Sequence, residues 1–312
     1  MTDIVTITIN PAIDIFTSVA RVEPTRKLRA TAPKRDPGGG GINVARVAHR
    51  LGGNVTAIYP TGGAIGQLLK RLLEREGVAS LTTPAHVETR ENFTAYEEES
   101  GDQYRFVLPG SRLHPAEWQA CLEQLTSFAR KPKFVVASGS IPPGVPDDFF
   151  GRVAKHAKTL GAKAVLDSSG PALAAALKEG VSLIKPNLHE LSDLTGAPLE
   201  DAGAQLAACR KLIADGRTET VALTLGERGA LLVTAEEAWR AEPLDIEPVS
   251  AVGAGDSFLG GMVWALAEGR AIQDAFRSGV AAASAAVTTP GTGLCLPEDV
   301  NRLYKQIEIS EV

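Results

Sequence analysis

The sequence predicts an α/β protein with a doubly wound, mostly parallel sheet, helices on both faces of that sheet, and a small β-sheet lid. Three observations predict this architecture. Short apolar strand candidates alternate with helical patterns over most of the 312 residues, two segments of hairpin character interrupt the alternation, and two glycine-rich turns lead into apolar helices. Strand–helix alternation with short loops is typical of a parallel sheet that binds ligands at the carboxyl ends of its strands.

The individual elements follow from composition and spacing. Short runs rich in β-branched and other apolar residues indicate buried strands. These runs are 4–9, 55–59, 134–137, 164–167, 183–185, 221–224 and 230–234. Apolar residues that recur every three or four positions indicate helices. The clearest helical patterns are 67–76, 116–129, 147–160, 202–214 and 272–287.

Two segments, 13–34 and 89–108, have the alternating pattern of β-hairpins with polar turns, the second bending at 99–102. They are distant in sequence but alike in character, so we expect them to form one small sheet that projects from the main unit. The predicted division of the chain is a lid, residues 13–34 and 89–109, and a large α/β unit that comprises 1–12, 35–88 and 110–312.

Side chains alternate across a strand, so the lid is predicted to present polar groups in pairs. The pairs that share a face are Lys27 with Arg29, Arg90 with Asn92, and Gln103 with Arg105. If these faces converge, guanidinium and ammonium groups surround one anion, which suits bidentate contacts to a phosphate. For each residue taken alone, an ordinary solvated strand face explains the charge at least as well.

Composition restricts the classes of partner. The net charge is −5 and no basic run is present, which disfavours nucleic acid as a partner. The three cysteines are odd in number and widely spaced, which argues against a disulfide framework or a zinc site. The amino terminus lacks a signal-peptide pattern and no apolar run reaches bilayer-spanning length, so we expect a soluble, cytoplasmic protein with no membrane partner.

A glycine turn at 252–258 delivers one carboxylate to the start of an apolar helix. The first amides of a helix lack internal partners and lie at the positive end of its dipole, so this turn is a natural anion hole. Gly253 and Gly255 keep side chains away from a bound phosphate, and Asp256 follows beside it. The combination suggests phosphoryl transfer. The alternative is that Asp256 is simply the N-cap of the helix.

A second glycine turn, 37–41, precedes another apolar helix that ends near 52–53. Four successive glycines lose considerable backbone entropy on ordering, roughly 1 kcal/mol each relative to alanine. A simple turn would not need so many. Asn43 in the first helical turn can present its amide to a polyol or a phosphate. As an alternative, Asn43 caps the helix.

The run 185–190 follows a strand and opens a helix. Asn187 and Glu190 are three residues apart, so on a helical turn their side chains share a face and suit a hydrated Mg²⁺. The alternative is a capping box formed by the same two residues. The loop 224–229 has the composition to wrap a nucleotide, but a plain hairpin loop explains it equally well. P-loop, GxGxxG, HExxH and GxSxG motifs are missing, which disfavours P-loop NTPases, Rossmann dehydrogenases, zincins and α/β-hydrolases.

Taken in order and spacing, the motifs at 38–43, 185–190 and 253–256 resemble those of the PfkB (ribokinase-like) carbohydrate kinases across nearly the whole chain. The segments 138–144, 167–170 and 103–106 resemble most closely the phosphosugar-kinase branch that includes the bacterial minor 6-phosphofructokinases. This resemblance implies a ribokinase-like fold and ATP-dependent phosphorylation of a sugar hydroxyl in glycolysis. It also implies a β-lid that closes over the sugar and forms the interface of a homodimer.

The resemblance implies a role for individual residues. Asp256 is the general base, and the amides of Gly253, Ala254 and Gly255 form the anion hole. The residues implied to contact the sugar phosphate are Asp14, Gly39, Asn43, Arg90, Asn92, Arg105 and Gly139, with Lys27 and Arg29 close by. Those implied to line the ATP pocket are Lys185, Asn187, Thr224, Gly226, Gly229 and Ser284. Glu190 is implied to hold Mg²⁺ through water, and a K⁺ site is implied at Ser250, Val252, Ala286 and Gly291.

Some positions depart from the family pattern. Ala251 stands where Thr is usual, and Thr289 and Gly293 stand where close relatives carry Asn and Arg, which weakens the K⁺ site. We expect fructose 6-phosphate as the substrate. A 1-phosphofructokinase and a tagatose-6-phosphate kinase remain open alternatives, although those relatives more often carry Lys at Gly40. A catalytically silent sugar-phosphate sensor is the alternative outside the enzymes.

Overall fold

The computed structural model describes residues 2–128 and 130–312. The chain forms one ten-stranded sheet and one four-stranded sheet in this part. The strands are β1 Ile4–Ile7, β2 Ala12–Val19, β3 Lys34–Gly38, β4 Val55–Thr61, β5 Ala79–Pro84, β6 Arg90–Glu97, β7 Gln103–Phe106, β8 Phe134–Ser138, β9 Lys163–Asp167, β10 Val181–Ile184, β11 Thr218–Thr224, β12 Ala230–Val233, β13 Ala238–Ala241 and β14 Ile309–Glu311. The helices are α1 Gly40–Arg50, α2 Gly63–Arg75, α3 Pro115–Gln124, α4 Phe149–Leu160, α5 Gly170–Ala176, α6 Leu188–Thr195, α7 Ala202–Ala214, α8 Ala254–Ala267, α9 Ile272–Val287 and α10 Pro297–Tyr304.

The large sheet has the order β14-β13-β12-β11-β10-β9-β8-β1-β4-β5. Its pairs are parallel from β5 through to β11, and antiparallel from β11 to β14. The predicted doubly wound, mostly parallel sheet is therefore confirmed. The strands and helices predicted for the large sheet and its two faces are present, with ends that differ by a few residues. Residue 129, the predicted end of α3, lies outside the described residues.

Two apolar layers cover the sheet, one on each face. Side chains alternate along β1, so Ile4 packs into one layer and Val5 into the other. Helices α1, α8 and α9 supply most of the first layer, where Phe258 meets Phe276 edge to face with ring centroids 6.1 Å apart. The second layer contains Trp118 of α3 and Phe149 of α4. Because both faces are covered, the polar residues that follow the strands collect at the carboxyl edge.

The small sheet has the order β3-β2-β6-β7. Strand β2 pairs antiparallel with β3 and parallel with β6, and β6 pairs antiparallel with β7, so the two halves meet side by side, with Ala12 opposite Arg90. The predicted lid is therefore present, and its second hairpin turns at residues 98–102 as expected. The division of the whole chain into two units stays a prediction.

The first lid segment departs from the predicted hairpin. The return strand β3 begins only at Lys34, and residues 20–33 form a long irregular connection. Lys27 and Arg29 lie in this connection and are exposed, so the prediction that they share a strand face was wrong. Pro24 and Pro33 lack the amide hydrogen that a strand ladder uses, and the exposed side chains of 26–29 bury too little surface to hold a strand against β2.

Candidate active site

Helix α8 begins in a turn built to expose its amides. Gly253 is the N-cap and has φ +77°, a left-handed conformation that glycine adopts without strain. The amide of Ser257 donates to the carbonyl of Gly253 at 2.8 Å, and the amide of Ala254 makes only a long contact of 3.4 Å to the carbonyl of Ala251. The helix starts at Ala254, one residue before the predicted point. The turn therefore has the geometry of an anion hole.

Asp256 lies in the first turn of α8 and does not cap the helix, so the N-cap alternative was wrong. Its Oδ2 accepts a hydrogen bond of 2.9 Å from Nδ2 of Asn43. Burial raises the pKa of Asp256 to about 7 and the negative charge of Asp167 acts in the same direction, while Asn43 and Lys185 oppose the rise. A carboxyl group with a pKa near 7 is suited to accept a proton at neutral pH.

The glycine turn at 37–41, which precedes α1, lies opposite the turn that precedes α8. Gly39 is the N-cap of α1 with φ +112°, so Asn43 is not the cap and that alternative was wrong as well. The preceding residue, Gly38, makes room for Asp14, because a Cβ at position 38 would stand 2.4 Å from the Asp14 carboxylate. Asp14 accepts from Nδ2 of Asn92 at 2.7 Å, and burial raises its pKa.

A buried ion pair lies beside the anion hole. Nζ of Lys185 is 3.1 Å from Oδ1 of Asp167. Burial alone would lower the pKa of Lys185, but the charges of Asp167 and Asp256 outweigh it and raise the pKa. A Cβ at Gly255 would lie 3.2 Å from the same Nζ, so the absence of a side chain there gives the ammonium access to the turn.

Asp167 was not among the predicted site residues. The available signal was its position at the carboxyl end of a buried central strand, β9, where ligand-facing side chains collect. Its oxygens also accept from Oγ of Ser138 at 3.4 Å, and its carbonyl accepts from the amide of Gly139 at 3.0 Å. Gly139 in turn lies against the start of α1, since a Cβ on it would be 3.5 Å from the amide nitrogen of Gly40.

A cavity of about 560 Å³ opens next to Gly255. All the residues predicted to line an ATP pocket are in its wall: Lys185, Asn187, Thr224, Gly226, Gly229 and Ser284. The segment 243–248 and the apolar face of α9 complete the wall and were not predicted. The mixture of an apolar wall with a few polar groups at one end suits a base and ribose with their phosphates directed at α8. The loop 226–228 also connects the antiparallel strands β11 and β12, as a hairpin loop does.

Asn187 and Glu190 form the capping box of α6. The amide of Glu190 donates to Oδ1 of Asn187 at 2.8 Å, and the amide of Asn187 donates to Oε2 of Glu190 at 2.9 Å. Burial raises the pKa of Glu190. Across residues 2–128 and 130–312, no group of three or more His, Cys, Asp or Glu side chains has the arrangement of a metal site.

The lid brings its polar residues to one face. Asn92 is opposite Asp14 in the parallel pair, and Arg105 is opposite Thr94 in the antiparallel pair, so Arg90, Asn92 and Arg105 share a face. Arg90 donates to the carbonyls of Leu108 and Asn10 at 2.7 and 3.2 Å, while its buried Nε has no hydrogen-bond partner. Burial lowers the pKa of Arg90. The polar faces predicted for β6 and β7 are therefore one face of the small sheet.

The residues of the predicted cation site are close together around Ser250. Its Oγ donates to the carbonyl of Gly291 at 2.9 Å and accepts from the amide of Val252 at 3.3 Å. The carbonyl of Ala286 accepts from the amide of Thr289 at 3.0 Å at the end of α9. The lid reaches this loop as well, because Nε2 of Gln103 donates to the carbonyl of Val249 at 3.2 Å.

Comparison with known proteins agrees with this architecture. Residues 1–299 match the pfkB family carbohydrate kinases. The ATP-dependent 6-phosphofructokinase isozyme 2 of Mycobacterium tuberculosis is 45% identical over 302 residues, which are 97% of this chain and 89% of the relative. The enzyme of the same name from Escherichia coli is 41% identical over 305 residues, covering 97% and 98%. A 1-phosphofructokinase from Xanthomonas campestris is 35% identical over 266 residues, covering 84% and 83%.

Solved structures give the same result. The crystal structure of phosphofructokinase-2 from Escherichia coli in complex with potassium matches with a TM-score of 0.94 and 41% identity, covering 98% of this chain and 99% of that one. The same enzyme in complex with fructose-6-phosphate matches with a TM-score of 0.92 and 40% identity over the same shares. The chain therefore belongs to the pfkB family of carbohydrate kinases and is an ATP-dependent phosphotransferase with a hydroxyl group as acceptor.

Proposed function

We propose that this chain is a 6-phosphofructokinase that converts ATP and fructose 6-phosphate into ADP and fructose 1,6-bisphosphate. One observation carries the proposal. Asp256, half-buried and with its pKa raised to about 7, lies between the anion-hole turn of α8 and the polar face of the lid. That is where a sugar hydroxyl and the terminal phosphate of ATP have to meet.

In the proposed reaction, Asp256 accepts the proton of the C1 hydroxyl as that oxygen attacks the γ-phosphorus of ATP. The amides of Gly253, Ala254 and Gly255 donate to the phosphoryl oxygens, and the nearby ammonium of Lys185 offsets their negative charge. The transition states of such transfers are loose, so positioning and electrostatic stabilisation supply most of the acceleration. General-base assistance contributes typically about 10²–10⁴-fold.

Glu190 and Asn187 are the residues that would hold Mg²⁺, Glu190 through water. Their carboxylate and amide oxygens are suitable donors, and Mg²⁺ commonly keeps several waters and adds phosphate oxygens to one or two carboxylates. The capping box engages Oε2 of Glu190 and the single side-chain oxygen of Asn187, which lines the cavity, and leaves Oε1 of Glu190 outside this contact. When bound, the metal neutralises charge on the β- and γ-phosphates.

The lid supports a phosphorylated substrate. Arg90, Asn92 and Arg105 share the face that carries Asp14, and the unpartnered, buried Nε of Arg90 is a donor available to a phosphate. Asp14 would accept from sugar hydroxyls, and Gly39, Asn43 and Gly139 lie around the same space. Lys27 and Arg29 lie in the 20–33 connection, and we propose that they approach the phosphate when the substrate binds.

A coupled ADP-release assay tests the substrate. Turnover should be highest with fructose 6-phosphate, and lower with fructose 1-phosphate and tagatose 6-phosphate. Preference for fructose 1-phosphate would assign the 1-phosphofructokinase activity of the relative from Xanthomonas campestris instead. No ADP release above the rate without sugar, together with binding of a sugar phosphate by calorimetry, would indicate a sensor and would refute the kinase assignment.

We also propose a K⁺ site at Ser250, Val252, Ala286 and Gly291. Backbone carbonyls of these residues are the oxygen donors, and the related Escherichia coli enzyme was crystallised with potassium. The positions of Thr289 and Gly293, which depart from the family pattern, flank this loop. Activity measured at constant ionic strength should rise when K⁺ replaces tetramethylammonium.

The proposed assembly is a homodimer through the lid. The lid face turned away from the phosphate carries Phe93 and Phe106, which are 39% and 56% exposed and lie across from each other on β6 and β7. Val107 and Leu108 extend this patch. Exposed apolar patches on a projecting sheet mark association surfaces.

No helix in the described part of the chain is long and apolar enough to span a membrane. Because the reaction consumes ATP, we propose that the enzyme works in the cytoplasm.

A further inference from the structure

Arg46 is a buried cation that the proposed reaction does not use directly. It lies on α1 and is 1% exposed. Its Nε donates to Oε2 of Glu76 at 2.9 Å, and its Nη2 donates to Oε1 of the same carboxylate at 2.6 Å. A guanidinium removed from water is costly unless it is paired and hydrogen-bonded, so this bidentate contact to the end of α2 anchors it firmly.

The third nitrogen of Arg46 points toward the catalytic centre. Nη1 donates to the carbonyl of Pro37 at 2.8 Å and to Oδ1 of Asn43 at 3.3 Å. The other end of that amide, Nδ2 of Asn43, donates to Asp256. The orientation of an amide is decided by its neighbours. Here a cationic donor lies on one side and a carboxylate acceptor on the other, so only one orientation satisfies both.

We propose that Arg46 is a positioning residue for phosphoryl transfer: anchored by Glu76, it fixes the side-chain amide of Asn43 so that this amide donates to Asp256. The inference rests on the proposed role of Asp256 as the base. In the flipped orientation Oδ1 of Asn43 would face the carboxylate and Nδ2 would face the guanidinium, which are two unfavourable contacts in place of two favourable ones. Because Nη1 of Arg46 also donates to the carbonyl of Pro37, Arg46 links α1 to the end of the lid strand β3.

The effect of Arg46 on Asp256 can be separated from that of other charges. The groups that act on Asp256 are Asp167 on β9, Lys185 after β10, Asp14 on β2 and the amide of Asn43 on α1. Only the last of these is in hydrogen-bond contact with Arg46. Loss of the Asn43 hydrogen bond removes a contact that lowers the pKa of Asp256, so the pKa rises further and less of the base is ionised at neutral pH.

The experiment compares Arg46→Lys with Arg50→Lys. Arg50 lies one turn further along α1 and also contacts Glu76, with its Nη2 3.5 Å from Oε2, so it is a matched control that shares the anchor. Lysine keeps the charge but lacks the fork needed to reach Glu76 and Asn43 together. For Arg46→Lys we expect kcat to fall roughly tenfold, and the rising limb of the pH–kcat profile to move up by about one unit. Arg50→Lys should change neither.

A double-mutant cycle with Asn43→Ala shows whether Arg46 acts through Asn43. In that background, Arg46→Lys should change kcat by less than about twofold, because its target is already gone. The proposal would be overturned if Arg46→Lys lowered kcat as much in the Asn43→Ala background as in the wild type. It would also be overturned if folded Arg46→Lys left the rising limb of the pH–kcat profile unmoved. If Arg46→Lys does not fold, Glu76→Gln releases the anchor instead and should move the limb in the same direction. Wild-type turnover is measured alongside: its absence would count against the proposed function, whereas normal wild-type turnover with an unmoved limb counts only against Arg46.

Discussion

Asn43 and Asp256, which are 213 residues apart in the chain, are joined by a hydrogen bond between the first turns of two glycine-capped helices. The bond fixes the distance between the glycine turn before α1, which is proposed to face the sugar, and the glycine turn before α8, which is proposed to face the nucleotide. It also leaves Oδ1 of Asp256 free of this contact and available to a substrate hydroxyl. The ionisation of Asp256 is therefore the first property to test.

Asp256→Asn should lower kcat by at least about 10²-fold, because an amide cannot accept the hydroxyl proton. The Kd for ATP, measured by calorimetry, should stay within about threefold, since the anion hole is made of backbone amides. Asp215→Asn, on the exposed end of α7, is the matched control and should keep full activity. Turnover of Asp256→Asn close to that of the wild type would exclude Asp256 as the base.

The same substitution should stabilise the fold in alkaline solution. The folded-state pKa of about 7 lies above the ordinary value of 3.8. Between these values the folded form keeps a proton that the unfolded form has released, so stability decreases as pH rises through this window, and the full penalty is present above it. By differential scanning calorimetry at about pH 8, Asp256→Asn should raise Tm by roughly 5 °C, and by clearly less at about pH 5. An equal gain at both pH values would show that the pKa of Asp256 is not raised.

Gly38→Ala should impair sugar binding selectively. The added Cβ would stand 2.4 Å from the carboxylate of Asp14, which must then move away from the sugar site and from Asn92. We expect the KM for the sugar phosphate to rise about tenfold or more and the KM for ATP to stay unchanged, as measured by initial rates. Gly151→Ala on α4, where the nearest neighbouring atom would lie at 3.4 Å, is the control and should leave both constants unaltered.

Phe106→Asp should dissociate the proposed dimer. Phe106 is the most exposed residue of the Phe93–Phe106 pair, and a charge in that patch would have to be desolvated on association. Analytical ultracentrifugation should give a monomer, and the KM for the sugar phosphate should rise because the lid loses its support. Val312→Asp introduces the same charge at an apolar residue of comparable exposure on the far edge of the large sheet. A dimer that persists in Phe106→Asp would place the interface elsewhere.

Buried elements were predictable because their patterns are strong. The central strands carry continuous apolar runs, and Gly253 and Gly39 mark the helix starts on which the site depends. The edge strands β5 and β14 were missed, since a half-exposed edge needs no apolar run. The interior strand β13 was missed as well, because its four residues are too few for a clear pattern. Asp167 was missed for a different reason: its importance comes from Lys185 and Asp256, which only the folded sheet brings to it. The same holds for Arg46, whose partner Glu76 lies on another helix.

Strands β2 and β6 run parallel and enter the small sheet side by side, with Ala12 opposite Arg90, although the strands that precede them, β1 and β5, are separated by β4 in the large sheet. Four connections join the small sheet to the rest of the chain: β1 to β2, β3 to α1, β5 to β6 and β7 to α3. At the β7 edge of the small sheet, Nε2 of Gln103 donates a hydrogen bond to the carbonyl of Val249, in the loop that precedes α8. Any movement of β7 away from this loop breaks that hydrogen bond, so the position of the small sheet is tied to the segment that leads into α8.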